Sequence, residues 1–423
     1  MQMSDATSPS MNLSTEKKAV FVFMTSSKFW EGLFDTMDIG FVKSLLEHQL
    51  ANFSTIIMTS IVPRHVSEIK LNQLLSKEGK LKQVFCHYNA EIEFLHIQGR
   101  TLSGAFNASK ELRSRLLPYK EKFIWAKNYF NSFIGVLLKK RVPDTFLHFE
   151  MSGLVPEEQL HYSGLNLLVR ITEFVILQFL ERVNLSTADS ISVVSRRFKE
   201  YIVKKHHIDS QKIEVLPYFY NHQSFYPDKN LRSEYRKKYQ IADKQTVILY
   251  SGMLQRWQKP DLLFSFLRNI KKQDINQVLR LLVLTFDQEK ARQYCSKYGL
   301  EDVIITSASG EELNAVYNVA DIGLAFRSAD MVSFVSSPVK IPEYLATGNS
   351  LITLEYIGDY GLDLQGKKYA MVKKNETDLL RTTIDEVRCL EKPDTHELNE
   401  IHKKYSIRSN LPVIKRILNK QNE

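Results

Sequence analysis

Along nearly the whole chain, short β-branched or aromatic runs alternate with stretches of helical periodicity. In the first half the runs are Ala19–Met24, Thr55–Thr59, Lys82–Cys86, Phe146–Glu150, Ile191–Val194 and Ile213–Leu216. In the second half they are Thr246–Ser251, Leu279–Thr285, Val303–Thr306, Asp321–Phe326, Ser350–Leu354 and Tyr369–Val372. Strands separated by long helical stretches run parallel, since an antiparallel hairpin needs only a few connecting residues. The runs are almost wholly apolar, the pattern of strands covered by helices on both faces. Two such series predict an α/β protein of two Rossmann-like, doubly wound parallel-sheet domains. Ligands of such sheets sit at the carboxyl ends of the strands, here in the cleft between domains.

At roughly 100–200 residues per domain, 423 residues accommodate this arrangement. The junction falls near Pro217–Pro227, in the irregular, aromatic-rich LPYFYNHQSFYPD. The expected boundaries are a flexible tail at 1–17, a first domain at 18–219 and a second at 220–399, with a basic helix at 400–423 packing back onto the first. Cys86, Cys295 and Cys389 lie far apart, which argues against a disulfide framework and for a reducing, cytoplasmic setting. The start, MQMSDATSPSMNLSTEKK, is polar, and AVFVFM is too short for a signal peptide. The most apolar segment, Leu165–Leu180, is interrupted by Arg170 and Glu173, whereas a spanning helix needs ~20 largely uncharged residues. A cytoplasmic protein is therefore expected, at most peripheral to a membrane.

The chain carries 57 basic and 48 acidic residues, a net charge of +9. Nine of the cations fall in Lys110–Arg141, interleaved with Phe123, Trp125, Tyr129 and Phe130. Cations mixed with aromatics suit an anionic lipid surface, where they would bring the first domain to a lipid-linked acceptor. The plainer reading is a solvated helix face over buried rings. Sequence signals for an RNA-recognition motif, zinc finger or helix-turn-helix are absent, so nucleic acid is not an expected partner. A non-catalytic phosphate- or nucleic-acid-binding protein rests on the charge alone.

Missing motifs narrow the chemistry. G-x-G-x-x-G, G-x-x-x-x-G-K-[ST], H-E-x-x-H and G-x-S-x-G do not occur. Neither does Asp-x-Asp, so that metal site for a nucleotide diphosphate is not expected. Two loops of the second half remain. In YSGMLQRWQKPDLLFSFL, Gly252 permits a tight turn at a strand end, and Arg256 and Lys259 place two cations beside a helix start, where a diphosphate fits; an ordinary basic loop is the alternative. In SSPVKIPEYLATGNSLITL, Ser336, Ser337 and Pro338 are expected to open a helix whose free amides favour an anion, with Lys340 adding charge. Glu343, one to two turns on, could accept both hydroxyls of a ribose, or be merely a surface glutamate.

These residues resemble a known family. SSPVKIPEYLATGNSLI is similar to the donor-site signature of the retaining GT-B glycosyltransferases of family four, bacterial surface-polysaccharide type. LPYFYNHQSFYPD, VILYSGMLQRWQKPDLLF and EELNAVYNVADIGLAFRSAD resemble three further family segments in the family's order, and HFEMSGLVPEEQLHYSG and ISVVSRRFKEYI resemble segments of its first domain. The resemblance spans roughly residues 144–355. It implies a metal-independent, retaining transferase without a cofactor, moving a sugar from a nucleotide-diphosphate sugar to a hydroxyl acceptor. The donor would bind the second domain and the acceptor the first. Glu343 would hold the ribose, and Arg256 and Lys259 would stabilise the departing diphosphate. Lys340 and the amides of Ser336 and Ser337 would assist, and Arg327 would touch phosphate or sugar. His148 would touch sugar or acceptor, unless it is a satisfied core histidine. Three departures stand out: Val335 replaces the signature's first glutamate, Met253 replaces an arginine, and the loop after the first strand, TSSKFWEGLFDTMDIG, is bulky instead of glycine-rich. A nucleotide-sugar epimerase of the same architecture is the enzymatic alternative.

Overall fold

The structure, a computed structural model, describes residues 17–28, 38–50, 53–62, 68–88, 90–98 and 101–422. The terminal tail and most of the bulky loop after the first strand lie outside them. The first sheet has seven strands: β1 Lys17–Lys28, β2 Thr55–Val62, β3 Glu91–Gln98, β4 Tyr119–Lys127, β5 Thr145–Met151, β6 Ser190–Val193 and β7 Ile213–Val215. The second has six: β8 Thr246–Ser251, β9 Leu279–Leu284, β10 Val303–Thr306, β11 Ile322–Ala325, β12 Ser350–Leu354 and β13 Ala370–Lys373. Their orders, β3-β2-β1-β4-β5-β6-β7 and β10-β9-β8-β11-β12-β13, reverse direction beside the first strand of each series. Every pairing is parallel. The six expected strands of the second domain are all present. At the strand order's reversal the loops diverge, which opens a crevice at the carboxyl ends.

The first domain corrects the sequence reading in three places. Lys82–Cys86 is not a strand: it closes the helix Glu68–Phe85, which buries Leu74 and Phe85. β3, EIEFLHIQ, goes unread because it is an edge strand whose glutamates alternate with its apolar residues. β4, YKEKFIWAK, is masked by its charged start. There Lys122 is buried because its ammonium donates to the carbonyls of Lys120 (3.2 Å) and Pro143 (3.0 Å). The basic stretch Lys110–Arg141 is consequently the end of helix Leu102–Leu116, then β4, then helix Tyr129–Lys139. Leu116, Phe123, Trp125 and Tyr129 lie in the core, so those rings cannot meet a lipid surface.

The chain crosses between domains more than once. The helix Ile407–Asn419 lays Ile414, Ile417 and Leu418 against Phe21, Ile56 and Phe123 of the first sheet. Lys420 and Arg416 pair with Glu214 next to it (3.1 and 3.3 Å). Val332 and Val335, from the second domain's sequence, join the core cluster of the first. Across the same seam Ser195 Oγ donates to the Val335 carbonyl (2.7 Å), and Asp359 accepts the amide hydrogens of Arg196 (2.8 Å) and Arg197 (3.3 Å). A second-domain carboxylate thus helps cap the first-domain helix Arg196–His206. Among the described residues, no helix is long and apolar enough to cross a membrane.

Candidate functional site

The carboxyl ends of β8 and β11 meet the short helix Lys340–Ala346. Gly252 follows β8 at φ 131°, a conformation that disfavours a side chain. A Cβ there would stand 2.9 Å from the Lys340 ammonium, so glycine is what lets that lysine reach the strand end. The loop beyond is fixed by Gly252 N–H to the Leu284 carbonyl (2.9 Å) and Leu254 N–H to Asp287 (2.9 Å). Lys340 itself is buried, with its ammonium 4.5 Å from the Tyr250 ring centroid and 3.3 Å from Gln258 Oε1. Burial, reinforced by the nearby Arg327 charge, lowers its pKa to about 7.

Arg327 follows β11 and faces the same point. Burial lowers its pKa as well, and its Nε is buried without a hydrogen-bond partner. Two desolvated cations side by side, one with an orphan donor, form a site for an anion. Across the cleft the opposing charge that acts on Arg327 is Glu158, on the first-domain helix Val155–Tyr162. Burial raises its pKa, while Arg327 pulls in the opposite direction.

Glu343 completes the second-domain wall. Its carboxylate accepts from Tyr317 Oη (3.2 Å), whose oxygen in turn accepts from Ser251 Oγ (2.9 Å). Burial pushes its pKa up to about 8, against the pull of Tyr317 and Lys340. The ring of Tyr344, the next residue, packs where a Cβ on Gly323 would sit 2.4 Å from it, and its hydroxyl accepts Ser251 N–H (2.7 Å). Tyr317, Tyr250 and Glu158 were not singled out from sequence: each is an ordinary residue of a helix or strand until the fold brings it in.

The other predicted residues divide. Arg256 is exposed in the one-turn helix Arg256–Gln258 and has no ion-pair partner among the described residues. Lys259 caps the helix Pro260–Gln273 from a left-handed conformation (φ 51°) and pairs with Glu376 at 3.1 Å. Ser336, Ser337 and Pro338 do not open the helix, which begins at Lys340 with Val339 as its cap. The Ser336 amide closes a turn onto the Ser333 carbonyl (3.2 Å), so it is not free for an anion. Ser337 Oγ instead meets Tyr360 Oη at 3.3 Å.

His148 is removed from the site altogether. It is fully buried on β5, with its ring nitrogens bonded to Ser190 Oγ (2.7 Å) and Ser192 Oγ (2.9 Å). Burial lowers its pKa to about 3, so it is a satisfied, neutral core histidine. The first domain's side of the cleft carries Lys127 instead, buried between Asp38 (3.0 Å) and Glu150 (3.6 Å).

No protein-family model matches the sequence, and no curated protein matches it. Solved structures match its fold. Anabaena Alr3699/HepE in complex with UDP-glucose is 12% identical, with a TM-score of 0.66 over 94% of this chain and 99% of its own. WaaG, a glycosyltransferase involved in lipopolysaccharide biosynthesis, is 13% identical, with a TM-score of 0.57 over 95% and 94%. A putative UDP-N-acetylglucosamine 2-epimerase from Listeria monocytogenes is 12% identical, with a TM-score of 0.54 over 96% and 97%. The chain has the GT-B fold, two parallel-sheet domains facing a cleft.

Proposed function

We propose that the chain is a glycosyltransferase that moves a sugar from a nucleotide-diphosphate sugar to a hydroxyl acceptor, with retention and without a metal. The observation that carries this reading is the pair Lys340 and Arg327 at the strand ends, neither in a salt bridge among the described residues: Lys340 is buried one turn before Glu343, and the Nε of Arg327 is buried without a hydrogen-bond partner. The UDP-glucose held by the Anabaena neighbour supports a donor of that class. Glu343 would bind the ribose hydroxyls, and Lys340 and Arg327 the diphosphate, with Lys259 turning to it from Glu376 and Arg256 closing from the rim.

As the bond from the sugar's anomeric carbon to the diphosphate breaks, negative charge grows on the leaving oxygen. Preorganised cations in a dry site stabilise that charge without a metal ion. The acceptor oxygen bonds to the same face of the sugar, and its proton passes to the departing phosphate. A cytoplasmic role in cell-surface polysaccharide or glycolipid synthesis follows from the sequence resemblance and is supported by the lipopolysaccharide enzyme among the neighbours.

The epimerase neighbour favours a second reading, in which the nucleotide sugar is isomerised without an acceptor. A panel of nucleotide sugars, followed by product analysis, separates the two. Free monosaccharide or glycosylated acceptor with released nucleotide diphosphate is expected, in the presence of excess EDTA. A freed isomeric nucleotide sugar would establish the epimerase. Glu343→Ala should weaken donor binding at least tenfold with unchanged thermal unfolding, and near-normal binding would remove the donor-site assignment.

A further inference from the structure

The helix Leu167–Thr187 is inside out. The two charges that interrupt its apolar run both turn inward: Arg170 Nε donates to the Leu160 carbonyl (2.6 Å), and Glu173 accepts from Gln159. What faces outward over the first three turns is apolar apart from Thr172. Leu168 is 78% exposed, Phe179 61%, Val175 59% and Ile171 45%, with Leu165 and Leu167 beside them. Their spacing, 168-171-175-179, is that of a single helical face. A soluble surface scatters such residues singly, and a contiguous row of them marks a surface that something covers.

Behind this face lies a cavity of about 610 Å³ whose apolar lining is Leu102, Phe130, Val155, Ile176 and Leu177, with Asn128, Gln159 and Glu173 among its polar lining. Ile176 and Leu177 belong to the same helix as the exposed row, so the cavity and the row share a wall. Asn128 directly follows β4, so the cavity's lining reaches the carboxyl edge of the sheet, where the cleft is.

We propose that this helix lies in a lipid–water interface, and that the cavity behind it receives the hydrocarbon chain of an amphiphilic acceptor whose hydroxyl end reaches the cleft. Three observations select lipid over a second copy of the chain. The row is uncharged up to the exposed Arg182, which is placed to meet a headgroup phosphate. The chain as a whole is at +9, which suits an anionic surface. A self-paired helix would cover the row yet leave the cavity, with its apolar wall of Leu102, Phe130, Val155, Ile176 and Leu177, without an occupant. The acceptor's identity rests on the transferase reading above; docking itself does not.

The test uses the whole protein and needs no donor. Flotation with vesicles of phosphatidylcholine and phosphatidylglycerol should carry the wild type to the lipid fraction, more at higher phosphatidylglycerol. Leu168→Glu with Phe179→Glu should reduce the bound fraction at least tenfold at an unchanged unfolding temperature, since both side chains are exposed. For the cavity, dansyl-undecanoate should gain fluorescence on binding, and Ile176→Trp should abolish that gain while leaving flotation intact. Wild-type protein that does not float, or that forms a dimer broken by the double glutamate variant, overturns the docking. A dansyl signal indifferent to Ile176→Trp overturns the cavity assignment. UDP binding, measured in parallel, reports on the transferase reading alone, so the two can fail separately.

Discussion

Lys340 is held with a pKa of about 7 by burial and by the nearby Arg327 charge. At pH 8 most of it is neutral in the empty site, and an arriving diphosphate would favour its charged form. Binding should therefore take up a proton at pH 8 and little below pH 6, where the lysine is already charged. Affinity should fall as pH rises past about 7. Calorimetry of UDP binding in buffers of different ionisation enthalpy measures the uptake directly, and Lys340→Met should abolish it. This residue was legible in sequence because it sits in a short signature. His148 was not, because nothing in FLHFEM distinguishes a strand end at the cleft from a strand middle bonded to Ser190 and Ser192.

Among the elements, β11 shows how a site is held at a distance. Gly323 leaves room for the Tyr344 ring, whose hydroxyl accepts the Ser251 amide hydrogen; the Ser251 hydroxyl donates to Tyr317 Oη, which donates to Glu343. Gly323→Ala should cost about 1–3 kcal/mol by overpacking. It should also weaken UDP binding several-fold although it touches no ligand, as thermal unfolding and a binding titration would show. The second domain's strands were readable because each is a predominantly apolar run flanked by turn residues. β3 and β4 were not, because alternating glutamates mark an edge strand as a helix face, and Lys122 hides a buried strand behind a charge answered only by distant carbonyls. The start of the helix Lys340–Ala346 was misplaced by several residues for a related reason. Ser336 and Ser337 look like caps, but their hydroxyls are drawn to Ser333 and Tyr360, contacts that only the folded chain supplies.

Across the whole molecule, the cleft is spanned by Asp359, which receives two amide hydrogens of the opposite domain and pairs with Arg196 (3.2 Å). Losing such a cap costs about 1 kcal/mol, enough to shift an open–closed balance roughly fivefold. Asp359→Ala should enlarge the radius of gyration in solution scattering and lower turnover, with UDP affinity within twofold of wild type. The returning helix Ile407–Asn419 bears on a different question, that of biosynthesis. A ribosome delivers β1 long before the helix that covers Phe21, Ile56 and Phe123. Throughout elongation, the first domain therefore waits with an apolar face bare. It is during synthesis that this protein is most exposed to aggregation, and a premature stop before Ile414 would leave both domains nearly complete in sequence and the first one unfinished.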